Sequence, residues 1–480
     1  MENTILIGRK KEQKILMKAL NSREAEMVAV IGRRRVGKTF LIESVYEKYI
    51  KFKVSGIQDA PTDEQLQNFV YQLDKTANAS IPSKVPDNWL QAFMMLIDYL
   101  KKIKTEHRQV VFLDELPWLA ADKSAGFLRG LSFFWNSWAV REDIVVVICG
   151  SVTSWMVQKV VNHTGGLHNR ITRRIHLKPF TLYETEHYFK SRNIGLNRYH
   201  IVQIYMAMGG IPHYLKEVEM GGSAVQSIND ICFSETGLLG DEFSKLYPAL
   251  FDNSDNHVAV VRALATKRQG MTREEIIAAS DVGNGGTLTK VLDELEQSGF
   301  ISIYRAYGKK KKGKLHRLTD EYSLFYLQFI EKNLYEGDDT WQHLSQTQAY
   351  KTWSGYTFEG LCIKHLPQIK KALSIAGVYA ISSSFYKKGT ATEKGAQIDL
   401  LLDRKDSVIN LFEIKFYEKP FVMTKAYAEA LRDKGFVFEE RLKTKKMLLW
   451  TFIAPFGLKH NQHSLGLVQK VLDLEALFDE

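Results

Sequence analysis

The segment Gly32-Arg33-Arg34-Arg35-Val36-Gly37-Lys38-Thr39 constrains this chain more than any other. It has the spacing GxxxxGK[ST], follows the apolar run Met27 to Ile31 directly, and opens the helical pattern TFLIESVYEKYI. A strand that runs through such a loop into a helix is built for phosphate. Gly32 and Gly37 let the backbone wrap with its N–H groups inward, and the helix N-terminus adds partial positive charge. Lys38 is placed to reach the β- and γ-phosphates, and the Thr39 hydroxyl is a ligand suited to Mg²⁺. The surrounding pattern alternates strand-like and helical runs: Phe40 to Ile50 helical, Trp89 to Lys102 helical, then strands Val110 to Leu113 and Ile144 to Cys149. That order predicts an α/β sheet of parallel strands.

Hydrolysis of a bound triphosphate needs a second element. Val110-Val111-Phe112-Leu113-Asp114-Glu115 supplies an apolar strand ending in two carboxylates. Asp114 is the candidate to hold Mg²⁺ through water, and Glu115 the candidate to polarise the attacking water. The strand IVVVICGS ends at Ser151, whose hydroxyl is either a γ-phosphate sensor or an ordinary polar strand end. Downstream, Arg170, Arg173 and Arg174 are candidate arginine fingers, acting in cis or from a neighbouring subunit, or else part of a solvated basic face.

At 480 residues the chain is too long for one core and suggests about three domains. Three cysteines without a CxxC pair fit a reducing compartment and exclude a cysteine-built zinc site. No apolar run approaches the ~20 residues of a membrane span, and no signal-peptide pattern opens the chain, so a cytoplasmic protein without membrane partners is expected. The formal charge of +10 is modest for this length and says only that anionic partners are attracted. The expected division is a phosphate-binding α/β domain over 1–180, a small helical lid over 181–250, a unit over 251–335, and a last one over 350–480.

In the third unit, helix-like blocks His257 to Lys267, Thr272 to Ala279 and Gly286 to Gln297 precede a hairpin Phe300 to Thr319. This is the order of a winged helix-turn-helix. Leu288, Val291, Leu292 and Leu295 repeat at helical spacing and leave Thr287, Thr289 and Lys290 for a DNA groove. The hairpin tip carries Lys309, Lys310, Lys311, Lys312 and Lys314, which either lie over phosphate or solvate the hairpin. In the last unit Asp399 sits in the strand-like Ile398 to Leu402, and Glu413 and Lys415 share one face of Val408 to Phe416. A turn through Asp403 to Ser407 could set Asp399 beside Glu413, giving two carboxylates for a divalent metal and a lysine to position or activate water.

Two resemblances follow from these residues. The opening Ile7-Gly8-Arg9-Lys10-Lys11-Glu12, the phosphate loop, FLDELPWL, the CGS strand end, HNRITRRIHLKPF and Gly209-Gly210-Ile211-Pro212-His213-Tyr214-Leu215 together resemble the archaeal-type ATPases of the AAA+/STAND branch of P-loop ATPases. The resemblance spans roughly the first half. It implies ATP and Mg²⁺ as cofactors, an opening segment near the adenine, and a trans-acting arginine at Arg170, with Asn169 where the family form usually has Gly. The D…ExK set of Asp399, Glu413 and Lys415 resembles the core of the PD-(D/E)xK nucleases, with Glu359 at an acidic position on that fold's first helix. The helix after the motif, Thr424 to Asp433, lacks the glutamine many active members carry.

The expected molecule is therefore α/β: a P-loop parallel sheet with helical lid, a winged helix-turn-helix and a restriction-endonuclease-like α/β domain. Its expected function is ATP-regulated DNA binding by an ATP hydrolase, with metal-dependent cleavage at Asp399, Glu413 and Lys415 as an extension and a homo-oligomer completed by Arg170. The alternative is a STAND-like switch whose nucleotide state controls assembly or a protein partner, with a catalytically silent nuclease-like domain.

Overall fold

The computed structural model describes residues 5–103, 106–120, 126–151, 155–161, 170–251, 253–305, 307, 314–334, 336–337, 339–390 and 393–480. It divides into two compact units, Met1–Pro179 and Phe180–Glu480.

In the first unit, α1 (Lys10–Leu20) leads into β1 (Glu26–Ile31), α2 (Lys38–Tyr46) and β2 (Ile50–Ser55). Then come α3 (Thr62–Ala77), α4 (Trp89–Lys102), β3 (Gln109–Asp114), α5 (Leu116–Leu119), α6 (Gly126–Ser137), β4 (Ile144–Gly150) and β5 (Arg173–His176). The sheet order is β2-β3-β4-β1-β5, and every pairing is parallel. β1 and β4 are buried at every position, which is why they read as unbroken apolar runs: helices cover both faces of a parallel sheet. One face packs against aromatic side chains of α3, α4 and α6. Phe69, Trp89, Phe93, Phe127 and Phe134 meet ring to ring there, with centroids 4.7 Å apart for Trp89 and Phe127. Each such buried ring contributes roughly 1.5–3 kcal/mol.

Two strands of this sheet escape the hydrophobic pattern. β2 alternates lysine with apolar residues (IKFKVS), and β5 is a basic edge strand of four residues (RRIH). The helix expected over Phe40 to Ile50 begins at Lys38 and ends at Tyr46, leaving Ile50 to open β2.

The second unit begins with α7 (Leu182–Ser191), α8 (Arg198–Met208), α9 (Pro212–Leu215), α10 (Ala224–Cys232) and α11 (Glu242–Leu246). α7 starts at a capping box in which Thr181 and Glu184 satisfy each other's backbone N–H groups. α12 (Asp255–Thr266), α13 (Arg273–Ser280) and α14 (Gly286–Gln297) follow, then an antiparallel pair β6 (Ile301–Arg305) and β7 (Lys314–Leu318). Leu288, Val291, Leu292 and Leu295 are buried, whereas Thr287, Thr289 and Lys290 are exposed.

After α15 (Glu321–Phe325), α16 (Thr340–Leu344), α17 (Gln348–Lys364) and α18 (Leu366–Ala372) come β8 (Ala380–Lys387), β9 (Ala396–Arg404), β10 (Val408–Ile414) and β11 (Phe421–Val422). α19 (Lys425–Leu442), β12 (Met447–Ile453), β13 (Leu458–Lys459) and β14 (Val468–Leu472) close the chain. The larger sheet runs β14-β12-β10-β9-β8, antiparallel across β8, β9 and β10 and parallel across β10, β12 and β14. α19 is the crossover that parallel pairing of β10 with β12 requires. The helix expected from Phe358 to Leu373 is two helices, because His365 ends α17 and Pro367 sits in the first turn of α18, where a missing N–H costs nothing. His365 is buried between them, and its Nε2 accepts the Leu182 N–H at 3.1 Å; burial pushes its pKa down to about 4, so the ring is neutral.

Candidate functional sites

The first site lies at the carboxyl ends of β1, β3 and β4. Gly32 is pressed so closely on the Leu177 carbonyl that a Cβ would collide with it, and Gly37 has φ of 89°, open to glycine but strained for other residues. Between them Arg35 takes φ of 70°, a left-handed conformation held only where the surroundings enforce it. Arg9 supplies part of that enforcement, since its guanidinium donates to the Val36 carbonyl at 3.2 Å and the Lys178 carbonyl at 2.7 Å. Sequence reasoning gave Arg9 no role in holding the loop. Its partner Lys178 stands 169 positions away, and no local pattern reports such a contact.

Lys38 is 5% exposed, and its Nζ donates to the Arg33 carbonyl at 3.1 Å. Thr39 Oγ1 donates to Asp114 Oδ2 at 2.8 Å, which joins the start of α2 to the end of β3. Asp114 Oδ1 in turn accepts the Glu115 N–H at 3.0 Å. Glu115 stands in the left-handed region at φ 46°, a second strained non-glycine residue at this place. The Glu115 carboxylate accepts from both the backbone N–H (3.1 Å) and the hydroxyl (2.8 Å) of Ser151. Ser151 thus touches the acid, a partner that its place at a strand end did not reveal.

Arg170 is exposed just before β5, the edge strand beside β1. Arg173 is committed to Glu26 at 2.6 Å. Asn169 lies outside the described residues.

The second site is on the large sheet of the second unit. The register that pairs Phe412 with Leu400 sets Glu413 and Asp399 on the next rung, so the turn brings these two carboxylates to neighbouring positions. Asp399 Oδ1 accepts from Gln397 Nε2 at 2.6 Å. Glu413 is only 5% exposed, which differs from a carboxylate on a solvated strand face: helices cover both faces of this sheet, as α17 and α19 pack on β9. Lys415 approaches Glu413 Oε1 at 3.1 Å, Lys434 donates to Oε2 at 2.8 Å, and the Tyr427 hydroxyl also donates to Oε1. Burial alone would raise the Glu413 pKa, but these two ammonium groups and the phenol outweigh it and hold it below the ordinary glutamate value. For Lys415, burial works against the charged form, yet Glu413 prevails and its pKa is raised. Glu359, on α17, has the opposite fate: burial and then the nearby Asp399 push its carboxyl up to about 8.

Tyr427 and Lys434 belong to this site and were missed. They lie two turns apart on one side of α19, which extends nine residues beyond the Asp433 expected as its end. Of the hairpin lysines, Lys314 is exposed at the start of β7, and Lys309 to Lys312 lie outside the described residues.

Among the described residues, no group of three or more His, Cys, Asp or Glu side chains is placed to hold a metal. For Mg²⁺ this is no obstacle at the first site, because that ion keeps several waters and takes one or two protein oxygens beside substrate phosphates. Thr39 and Asp114, already in contact, fit that demand. Asp399 and Glu413 fit it less well, because Glu413 is already neutralised by its own neighbours. No helix among the described residues is long and apolar enough to cross a membrane.

Residues 6–218 match the family model of an ATPase domain predominantly from Archaea. Over 443 residues the chain is 23% identical to an uncharacterized protein of Methanocaldococcus jannaschii, spanning 90% of this chain and 92% of that one. The Walker-type ATPase of Pyrococcus abyssi aligns at a TM-score of 0.48 and 16% identity, over 67% of this chain and 96% of its own. The ORC2 protein of Aeropyrum pernix, solved in ADPNP and ADP complexes, aligns at 0.41 and 16% identity, over 72% and 98%.

Proposed function

We propose that the chain is an ATP hydrolase that binds DNA through its second unit. The observation that carries the hydrolase half is the connected set Thr39, Asp114, Glu115 and Ser151, which ties the phosphate loop to a carboxylate pair. On ATP binding, Lys38 exchanges the Arg33 carbonyl for phosphate oxygens. Thr39 and Asp114 would hold Mg²⁺, which supplies neutralising charge beside the phosphates. Glu115, oriented by both donors of Ser151, polarises the attacking water. Arg170 is exposed and able to reach a neighbouring copy, where a guanidinium stabilises charge on the transferred phosphoryl group. Lys38→Ala should abolish tight ATP binding, whereas Glu115→Gln should keep binding and lose turnover. Equal turnover in Glu115→Gln and the parent sinks this assignment.

The DNA half is supported by three helices followed by a two-stranded hairpin, α12 to β7, in the order of a winged helix-turn-helix over 251–335. Lys314 and the neighbouring Lys309 to Lys312 are its proposed phosphate contacts. The helices of 181–250 are the proposed lid, and the mixed sheet of 350–480 is the proposed nuclease-like domain.

A second reading is favoured by one observation, the closure of Glu413 by Lys415, Lys434 and Tyr427. In it the nuclease-like domain binds without cutting, and the nucleotide state switches assembly or a protein partner. Cleavage at Asp399, Glu413 and Lys415 then requires that Lys434 and Tyr427 release Glu413. Incubating the full chain with ATP, Mg²⁺ or Mn²⁺ and branched, duplex and single-stranded DNA separates the two: products that vanish in Asp399→Ala support cleavage, and intact DNA supports the silent domain.

A further inference from the structure

Within the second unit, a cleft of 1160 Å³ opens between the β6–β7 hairpin with the end of α12 on one side and β8 with β9 on the other. Its two walls are pinned to each other. The Tyr307 N–H donates to the Ser384 carbonyl at 2.8 Å, and its hydroxyl to Asp403 at 3.2 Å.

The charge of the cleft is not cancelled internally. Lys267 is paired with Glu275, and Lys387 with Glu393. That leaves Arg268, Arg317, Lys388 and Arg441 on the lining, none of them in an ion pair among the described residues, against Asp399 and Glu359. Arg268 lies over the Tyr356 ring, its guanidinium carbon 3.7 Å from the ring centroid, a cation already seated on an aromatic face. Tyr386, 62% exposed, and Tyr304 present further rings to the same space.

Cations along a groove attract any polyanion, but rings select among them. A duplex keeps its base faces stacked internally, while a single strand offers each face to an aromatic side chain. The size agrees, since the volume lies just above the roughly 300–1,000 Å³ usual for enclosed ligands and leaves room for a few nucleotides. We propose that this cleft binds a single-stranded polynucleotide, its phosphates along Arg268, Arg317, Lys388 and Arg441 and its bases against Tyr386 and Tyr304. The inference deepens the nucleic-acid half of the proposed function and rests on it. It gives the strand a path past Asp399 and Glu359, which line the same cleft.

Fluorescence anisotropy of the full chain tests it, in chelator, with labelled dT20, rU20 and a 20-base-pair duplex. The exposed pair Arg268→Glu with Arg441→Glu should weaken single-strand binding about tenfold or more and lower the salt slope by about 1.4, from two lost phosphate contacts. Tyr386→Ala should weaken it by roughly 5-fold or more through lost stacking, with duplex affinity nearly unchanged. Binding of either polymer supports the cleft, and their ratio names the sugar. Unchanged single-strand affinity in both variants, with thermal unfolding intact, overturns it. A parent chain that binds duplex but no single strand also overturns the cleft while leaving DNA binding in place, whereas a parent that binds no nucleic acid removes the broader reading as well.

Discussion

Two pairs of carboxylates stand on strands of this molecule, Asp114 with Glu115 at the end of β3 and Asp399 with Glu413 across β9 and β10, and their partners differ in kind. Asp114 and Glu115 are held by neutral donors: a threonine hydroxyl, a serine hydroxyl and backbone N–H groups. Glu413, beside Asp399, is held by two ammonium groups and a phenol. Neutral donors fix geometry and leave the negative charge for an incoming cation. Cationic partners fix geometry and consume that charge. An acidic pair in sequence therefore says less about metal chemistry than the charge of what holds it.

The largest expected effect breaks or supports the first half of this contrast. Glu115→Gln should slow ATP hydrolysis by roughly a thousandfold while leaving ATP affinity near that of the parent, the loss expected when a positioned base is removed. Single-turnover hydrolysis and equilibrium nucleotide binding read the two quantities separately.

Next in size is a pH effect peculiar to the second site. Glu359 holds its proton up to about pH 8 in the fold, because of burial and Asp399. The unfolded chain loses that proton near the ordinary value of 4.5. The stability contributed is complete below 4.5 and drains away as pH rises through 8. In chelator, the gap between the parent and Glu359→Gln should therefore change by about 3 kcal/mol from pH 5 to pH 9, after allowance for partial contact with solvent. A pH-independent gap in denaturant unfolding would show that Glu359 ionises normally.

Lys434→Ala sharpens the contrast directly. It should destabilise the second unit by about 2 kcal/mol, because a buried carboxylate loses one charged donor. It should also strengthen Mn²⁺ binding measured by calorimetry, since Glu413 regains uncompensated charge. If the parent already binds Mn²⁺ as tightly as the variant, the distinction between the two sites collapses. The smallest effect belongs to Ser151→Ala, which removes one of two donors to Glu115 and should slow hydrolysis by several-fold, about 1 kcal/mol, with binding unchanged.

Much of the first site could be read from the chain because its determinants are contiguous. The loop of 32–39, the Asp114-Glu115 strand end and the apolar runs of β1 and β4 each announce themselves locally. Arg9 did not, and neither did Tyr427 and Lys434, because each acts on a residue distant in sequence through a contact that only the fold creates. Lys51 and Lys53 hid β2 in the same way, since Lys53 turns to Glu43 on α2 and so serves a strand that looks solvated. The turn joining β9 to β10 was legible, and the state of Glu413 was not: alternation identifies which residues share a face, but not what covers that face.

The sheet order of the first unit places one strand, β4, between the strand that feeds the phosphate loop and the strand that ends in acid. With strands ~4.8 Å apart, β1 and β3 run about 10 Å from each other, and it is the side chains at their ends that close the distance, since Thr39 already reaches Asp114. The interposed strand also delivers Ser151 at its end, so the two donors that orient Glu115 come from the strand standing between the loop and the acid.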